Sequence, residues 1–291
     1  MADVYQLVTD AIIRKLELGN IPWHCPWRKV HSSCISYATG KPYSMLNQML
    51  LGGRPGEYIT FNQAIAVGGH VRKGERAKLV VFWKMFETVD ADTGEVTEIP
   101  MLKYYNVFNI DQCEHIAPRW AITLRNEQSD SDLIPDEKAD CIILDYLSRS
   151  KVKFSPQRTN SAYYSASTDE IVVPELKQYD TVPEFYSSAF HEIAHSTGHP
   201  ARLNRFDGTE RFASEEYSKE ELIAEIASAF MLDHCGLNTH ASFENNVAYI
   251  QGWLKALRNN RKLIVTAASH AEKACKYILG ESTESEVATN V

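Results

Sequence analysis

Apolar residues recur at helical spacing from the start of the chain: Val4, Leu7, Val8, Ile12 and Leu16 fall on one face, and Gly19-Asn20 ends the run, which predicts a helix over Val4–Leu18. Gly40-Lys41-Pro42-Tyr43 and Asn47 lead into a short helix, and Tyr58-Ile59-Thr60-Phe61-Asn62-Gln63 into another that carries Ala64, Ile65 and Val67. Leu79-Val80-Val81-Phe82-Trp83-Lys84 reads as a strand. Tyr104-Tyr105-Asn106-Val107-Phe108-Asn109 should pair with it across a turn from Asp90 to Gly94. Further along, a helix is expected from Asp136 to Ser150, then three short strands near Lys151–Ser155, Ala162–Ala166 and Glu170–Pro174. Two helices follow, one from Pro183 to Ser196 and one capped by Ser218, and two more at about Phe243–Asn259 and Lys262–Gly280.

The pattern lapses between Arg125 and Glu137, a polar, acidic stretch with no hydrophobic period, so the domain boundary belongs there. Residues 1–125 are expected to form a first domain, 126–136 a linker and 137–291 a second. Charge divides the chain in the same place. Residues 1–130 carry 14 Lys+Arg against 14 Asp+Glu and the remainder 16 against 24, so the whole net charge of −8 lies in the second part. Two domains with different tasks account for this most simply. The expected fold class is α+β: a mixed α/β first domain and a second with a small sheet and a long metal-binding helix.

At 291 residues and 44% hydrophobic content the chain can bury real cores. No apolar run reaches membrane-spanning length, and Met1-Ala2-Asp3-Val4 lacks the layout of a secretion signal, so a cytoplasmic protein with no membrane partner is expected. The six cysteines show no C-x-x-C pair, and His24, Cys25, His31 and Cys34 have no finger spacing. Reduced thiols are therefore expected, with no cysteine–zinc site.

His191-Glu192-Ile193-Ala194-His195 carries the most chemistry. Residues four apart share a helical face, so both imidazoles can address one ion, and Glu192 projects beside it. There a carboxylate can take a proton from an attacking water and pass it to a leaving amine. This is the HExxH pattern of metallohydrolases, mostly peptidases. Thr181 as N-cap, Pro183 in the first turn and Glu184 three after the cap begin the helix, and Gly198 stops it. Phe185, Ala189 and Ile193, with Tyr186, Phe190 and Ala194 on a neighbouring row, make it mostly buried. Buried histidines need partners, and a metal satisfies both at once.

A third ligand is offered by the next helix, where Glu221 and Glu225 are four apart on one face of an apolar run. Ser218 with Glu221 also fits a capping box, the competing reading of that glutamate. Glu221 followed one turn later by an acid resembles the gluzincin peptidases, in which the first carboxylate ligates zinc and the second orients a ligand histidine. That resemblance makes Glu221 the third ligand and Glu225 the supporting carboxylate. His199 falls past the Gly198 turn and reads as a polar cleft or supporting residue; His199 or Tyr217 could donate to an oxyanion. Zinc is favoured by two imidazoles, with Mn2+ or Co2+ able to substitute in vitro.

In the first domain, Pro22-Trp23 and Pro26-Trp27 present indoles on stiffened loops, and Gly68–Lys78 sets four basic side chains against one acid. Cations that follow phosphates and rings that stack on unpaired bases are what a single-stranded nucleic acid site needs. The candidate contacts are Trp23, Trp27, Lys41, Tyr43, Arg72, Lys73, Arg76 and Lys84. A solvated loop and core aromatics are the plainer alternative.

Through these same segments, Pro22-Trp23 to Tyr105-Asn106-Val107-Phe108-Asn109, the first domain resembles the N-terminal domain of ArdC-type antirestriction proteins of conjugative plasmids, a domain also found at the start of some plasmid primases. Through His191–His199 and Glu220–Phe230 the second resembles their zincin-like metallopeptidase domain, related in pattern to SprT/Spartan proteases. The resemblance implies single-stranded DNA binding and protection of incoming plasmid DNA from host restriction, with a zinc metalloprotease-type site; it does not settle which protein, if any, that site cuts, a protein substrate or a restriction enzyme being the candidate partners. The alternative is a non-catalytic DNA-coating protein whose zinc domain is structural. An acidic DNA mimic gains little from a charge of −8 spread over residues 131–291.

Overall fold

The computed structural model describes residues 3–17, 34–52, 54–89, 96–120, 134–206, 215–237 and 247–281, without the side chains of 84–89, 96–100, 215–218 and 247–252. Its elements are α+β and form two compact units: of the described residues, 3–14 and 34–120 fall in the first, and 15–17 and 134–281 in the second.

In the first unit, β1 (Cys34–Ser36), β2 (Gly56–Thr60), β5 (Val96–Asn109) and β4 (Lys78–Val89) form a sheet in the order β1-β2-β5-β4. The β4–β5 pair is antiparallel, with Val81 opposite Tyr104, as the two expected strands require. The expected turn at Asp90–Gly94 lies outside the described residues. β4 is an edge strand, and the helix α2 (Met45–Leu51) covers part of that edge. Asn47 of α2 accepts the N–H of Val81 at 2.8 Å and donates to its carbonyl at 2.7 Å, taking the place a further strand would occupy.

The segment Tyr58–Gln63 is not wholly a lead into helix: Gly56–Thr60 is a strand, and the helix α3 (Phe61–Ala66) starts only after it. A capping box makes the switch, with Gln63 N–H donating to Thr60 Oγ1 at 3.2 Å and Thr60 N–H to Gln63 Oε1 at 3.0 Å. Glu57, 0% exposed, accepts the N–H groups of Arg119 and Trp120 at 2.8 and 2.9 Å. The Trp120 ring then lies against Gly40, where a Cβ would come within 2.7 Å of it, so that position in the Gly-Lys-Pro-Tyr motif admits only glycine. A separate two-stranded sheet pairs β3 (His70–Val71) with β6 (Cys113–Glu114). The expected first helix is observed as α1 (Val4–Glu17), with Val8, Ile12 and Leu16 buried.

The second unit opens with α4 (Glu137–Ser150) and a three-stranded sheet, β7 (Lys153–Gln157), β9 (Glu170–Pro174) and β8 (Tyr163–Ser165), in the order β7-β9-β8. β9 pairs parallel with β7 and antiparallel with β8, and its Ile171, Val172 and Val173 are buried. α5 (Val182–Ser196) packs on β9 and β8, and α6 (Glu215–Cys235) lies between α5 and α8 (Leu263–Ile278). α7 (Val247–Asn259) completes the unit. α6 begins three residues before Ser218, so Ser218 is inside the helix and the expected cap with Glu221 does not exist. Glu221 is thereby released from the terminus for another task.

Candidate metal centre

Local signals at both ends fix α5. Thr181 Oγ1 accepts the N–H of Glu184, whose carboxylate accepts the N–H of Thr181 at 3.1 Å, with Pro in the first turn. At the other end two arginines satisfy carbonyls that the helix leaves without partners. Arg202 donates to Ser196 O at 2.6 Å, and Arg205 to Ala194 O at 2.8 Å and Thr197 Oγ1 at 2.7 Å. The helix ends at Ser196, and Gly198 just beyond it lets Phe206 close over the chain, since a Cβ there would stand 2.8 Å from that ring.

One turn of this helix places His191 Nε2 and His195 Nε2 3.1 Å apart. From α6, Glu221 reaches both, 3.6 Å from each Nε2. Two nitrogens bound tetrahedrally to one zinc at about 2.0–2.1 Å would stand roughly 3.3 Å apart, so the pair already has the separation a shared ion requires. The donor set, two imidazoles and a carboxylate with all ligand atoms within 4.8 Å of one another, suits zinc or manganese. Glu192, 8% exposed, lies close enough to His191 for its charge to act on that ring.

Each imidazole is also held from behind. His191 Nδ1 is 3.8 Å from Glu225 Oε1, and His195 Nδ1 is 3.4 Å from Glu220 Oε1. A carboxylate hydrogen-bonded to the far nitrogen, as Glu220 is to His195, fixes the tautomer and leaves Nε2 free for an ion; Glu225 stands at ion-pair distance behind His191. Glu220 is itself gripped by Arg205, whose guanidinium donates to both carboxylate oxygens at 2.6 and 3.1 Å. Burial would raise the Glu220 pKa, but hydrogen bonds from His195 and Arg205 outweigh it and hold the carboxyl below its ordinary value. Adjacent residues on a helix point about 100° apart, so Glu221 faces the ion position while Glu220 faces the outer edge of His195.

Burial would also depress the His191 pKa; Glu221, Glu225 and Glu192 overcome it and push the ring up to about 9 in the metal-free protein. That imidazolium stabilises the metal-free fold fully below pH 6.5, and the contribution is lost as pH rises through about 9. An ion must displace the proton, so binding at pH 7.5 is expected to release one proton, with affinity rising about tenfold per pH unit up to that value. Titration calorimetry in buffers of differing ionisation heat measures the release; a proton count of zero would contradict it.

Of the residues expected at this centre, His191, Glu192, His195, Glu221 and Glu225 come together. His199 does not: its Nδ1 accepts the N–H of Ala201 at 3.1 Å in the turn after α5. The Tyr217 side chain lies outside the described residues. Glu220 and Arg205 were not singled out by the HExxH spacing; the acid immediately before Glu221 was the one available signal.

In the first unit the expected DNA contacts fare unequally. Lys41, Lys73 and Arg76 are exposed. Arg72 is partly tied down, donating to Asp111 O at 2.5 Å and Glu75 Oε1 at 3.1 Å. Tyr43 packs against the core of Cys34, Leu51, Tyr58, Val80 and Val107, and burial pushes its phenol up to about 12, so its ring is no open platform. Trp23, Trp27 and the side chain of Lys84 lie outside the described residues. Among the described residues of this unit, Phe61 at the start of α3 is exposed, and so on β4 and β5 are Trp83, Tyr104 and Tyr105; Tyr105 stacks on Phe82 with centroids 4.6 Å apart.

The family model for the N-terminal domain of the anti-restriction factor ArdC matches residues 2–108, and a zincin-like metallopeptidase model matches residues 143–270. Two DNA primases TraC of Escherichia coli are 32% and 33% identical over 94% of this chain, which spans only 20% and 27% of their lengths. The crystal structure of the antirestriction ArdC protein from the R388 plasmid, metal-free, is 31% identical with a TM-score of 0.76, covering 97% of this chain and 100% of its own. Its Mn(II)-bound form is 30% identical with the same TM-score and covers 97% and 99%. Matched in both halves and along nearly its full length, the chain belongs to the ArdC family of antirestriction proteins.

Proposed function

We propose that this protein protects incoming plasmid DNA from host restriction by binding single-stranded DNA through residues 1–125 and hydrolysing peptide bonds at the centre between α5 and α6. The observation that carries the reading is the convergence of His191, His195 and Glu221 beside Glu192. A zinc ion held there supplies Lewis-acid polarisation of a carbonyl and acidifies water. Glu192 accepts the proton of the attacking water and returns it to the leaving amine. Glu220 and Glu225 hold the two rings in register, and β8, an edge strand beside α5, offers backbone groups to an extended peptide. The protein substrate would be one near single strands, a restriction enzyme among them.

Plasmid transfer tests the biological half. Transfer into a restricting recipient should rise when the intact protein is present and be unchanged in a non-restricting one; equal effects in both would count against protection.

For the DNA half, exposed cations and rings predict sequence-tolerant, salt-sensitive binding of the full chain. Lys73→Ala with Arg76→Ala should weaken binding to all sequences alike and flatten the salt slope by about 1.5 to 2. Tyr105→Ala should cost about 1–3 kcal/mol, roughly 5- to 150-fold in affinity, if bases stack on the Phe82–Tyr105 pair. Labelled oligonucleotides titrated at several salt concentrations read both; unchanged slopes and affinities would refute this surface.

A further inference from the structure

We propose that His70, Glu114 and His115 form a second divalent-cation site, on the two-stranded sheet of the first unit, sharing no residue with the centre between α5 and α6. The antiparallel register of β3 and β6 sets His70 directly opposite Glu114, which puts both side chains on one face. His70 Nε2 stands 3.2 Å from Glu114 Oε2. In an extended chain the next residue would point to the other face, but His115 has φ +59°, and this turn brings its ring within 5.7 Å of the His70 ring.

The backbone beneath the cluster is tightly held. A Cβ at Gly69 would lie 2.3 Å from Ile116 Cγ1 and 2.7 Å from Glu114 O, so the glycine lets the two strands close at this point. Gly69 N–H donates to Ala64 O at 2.9 Å and Arg72 N–H to Gln112 O at 3.0 Å, bracketing His70 on both sides.

The three ligand atoms lie within 4.8 Å of one another and all three residues are exposed, with His70 and Glu114 side chains 55% and 49% accessible. Bonds of about 2.0–2.1 Å require the side chains to draw in slightly, which exposed rotamers permit. Two imidazoles select a borderline transition ion such as Zn2+ or Ni2+ over Mg2+ or Ca2+. A metal at this position would use the Nε2 lone pair of His70, with the ring proton on Nδ1. Three protein ligands leave at least one coordination position for water or an external oxygen.

Equilibrium dialysis of the full chain against Ni2+ and Zn2+, followed by elemental analysis, tests the site. The native protein should bind one equivalent more than His70→Ala with His115→Ala, and each single substitution should lose that same equivalent. Because these side chains are exposed, the thermal midpoint of the metal-free variants should match the native one. Equal metal content in native and variant proteins overturns the proposal. The comparison is a difference of one equivalent, so it reads the same whether or not the centre between α5 and α6 is loaded.

Discussion

Glu192→Gln is expected to lower peptide-bond hydrolysis about 100- to 10,000-fold, the usual worth of a general acid–base, while zinc content and DNA affinity stay at native values. The substitution keeps the size and shape of a side chain that is only 8% exposed, so the packing of α5 survives. It removes none of the three converging groups, His191, His195 and Glu221. It does remove a carboxylate beside them that, unlike Glu220, Glu221 and Glu225, is neither a candidate ligand nor set against a ring Nδ1. Protection in a restricting recipient should fall to the level seen without the protein. In the scaffold reading, where the metal only holds the second unit together, the same variant protects fully. The transfer assay therefore separates the two readings with one substitution, provided metal content is measured on the same preparation.

Arg205→Ala is expected to have the largest effect on stability, about 3–5 kcal/mol, since it leaves a buried carboxylate without its counter-charge. The Arg205 and Glu220 side chains are 5% and 12% exposed, and the guanidinium spans Glu220, Thr197 and Ala194 at once. For a unit of this size such a loss lowers the thermal midpoint by roughly 10 °C. Because Glu220 also holds His195 Nδ1, zinc affinity should drop about 10- to 100-fold as well. Arg205→Lys keeps the charge but not the fork, so it should recover part of the stability and less of the affinity. Calorimetry of metal-free and zinc-loaded protein reads both effects. A midpoint within 2 °C of native (~1 kcal/mol) and unaltered zinc affinity would show that the Arg205–Glu220–His195 chain does not support the centre.

What could be read along the chain was local. α5 announced itself through Thr181, Pro183, Glu184 and Gly198; the first three do the work their positions suggest, whereas Gly198 lies beyond the Thr197 cap and makes room for Phe206. The β4–β5 pair was legible from two aromatic, β-branched runs. β2 was not, because Glu57, Tyr58 and Ile59 are all buried and give no alternation, and its partners lie far away at Cys34–Ser36 and Val107–Asn109. Glu57 looks like a surface acid until Arg119 and Trp120 return some sixty residues later to use it. α6 misled in a different way: Ser218 and Glu221 mimic a capping box inside a helix that starts at Glu215. Likewise Glu220 and Arg205 find each other fifteen residues apart in the chain, with no periodicity to reveal the pairing. Of the rings offered to DNA, Tyr43 was misjudged for the same reason, since only the packed sheet decides that Tyr43 is core and Tyr105 is open.

The most direct test is a crystal of the zinc-loaded full chain, with diffraction recorded on both sides of the zinc absorption edge. A strong anomalous peak bonded to His191 Nε2, His195 Nε2 and a Glu221 oxygen is expected. A loaded crystal with no peak between α5 and α6, or one whose ion is held by other side chains, would contradict it.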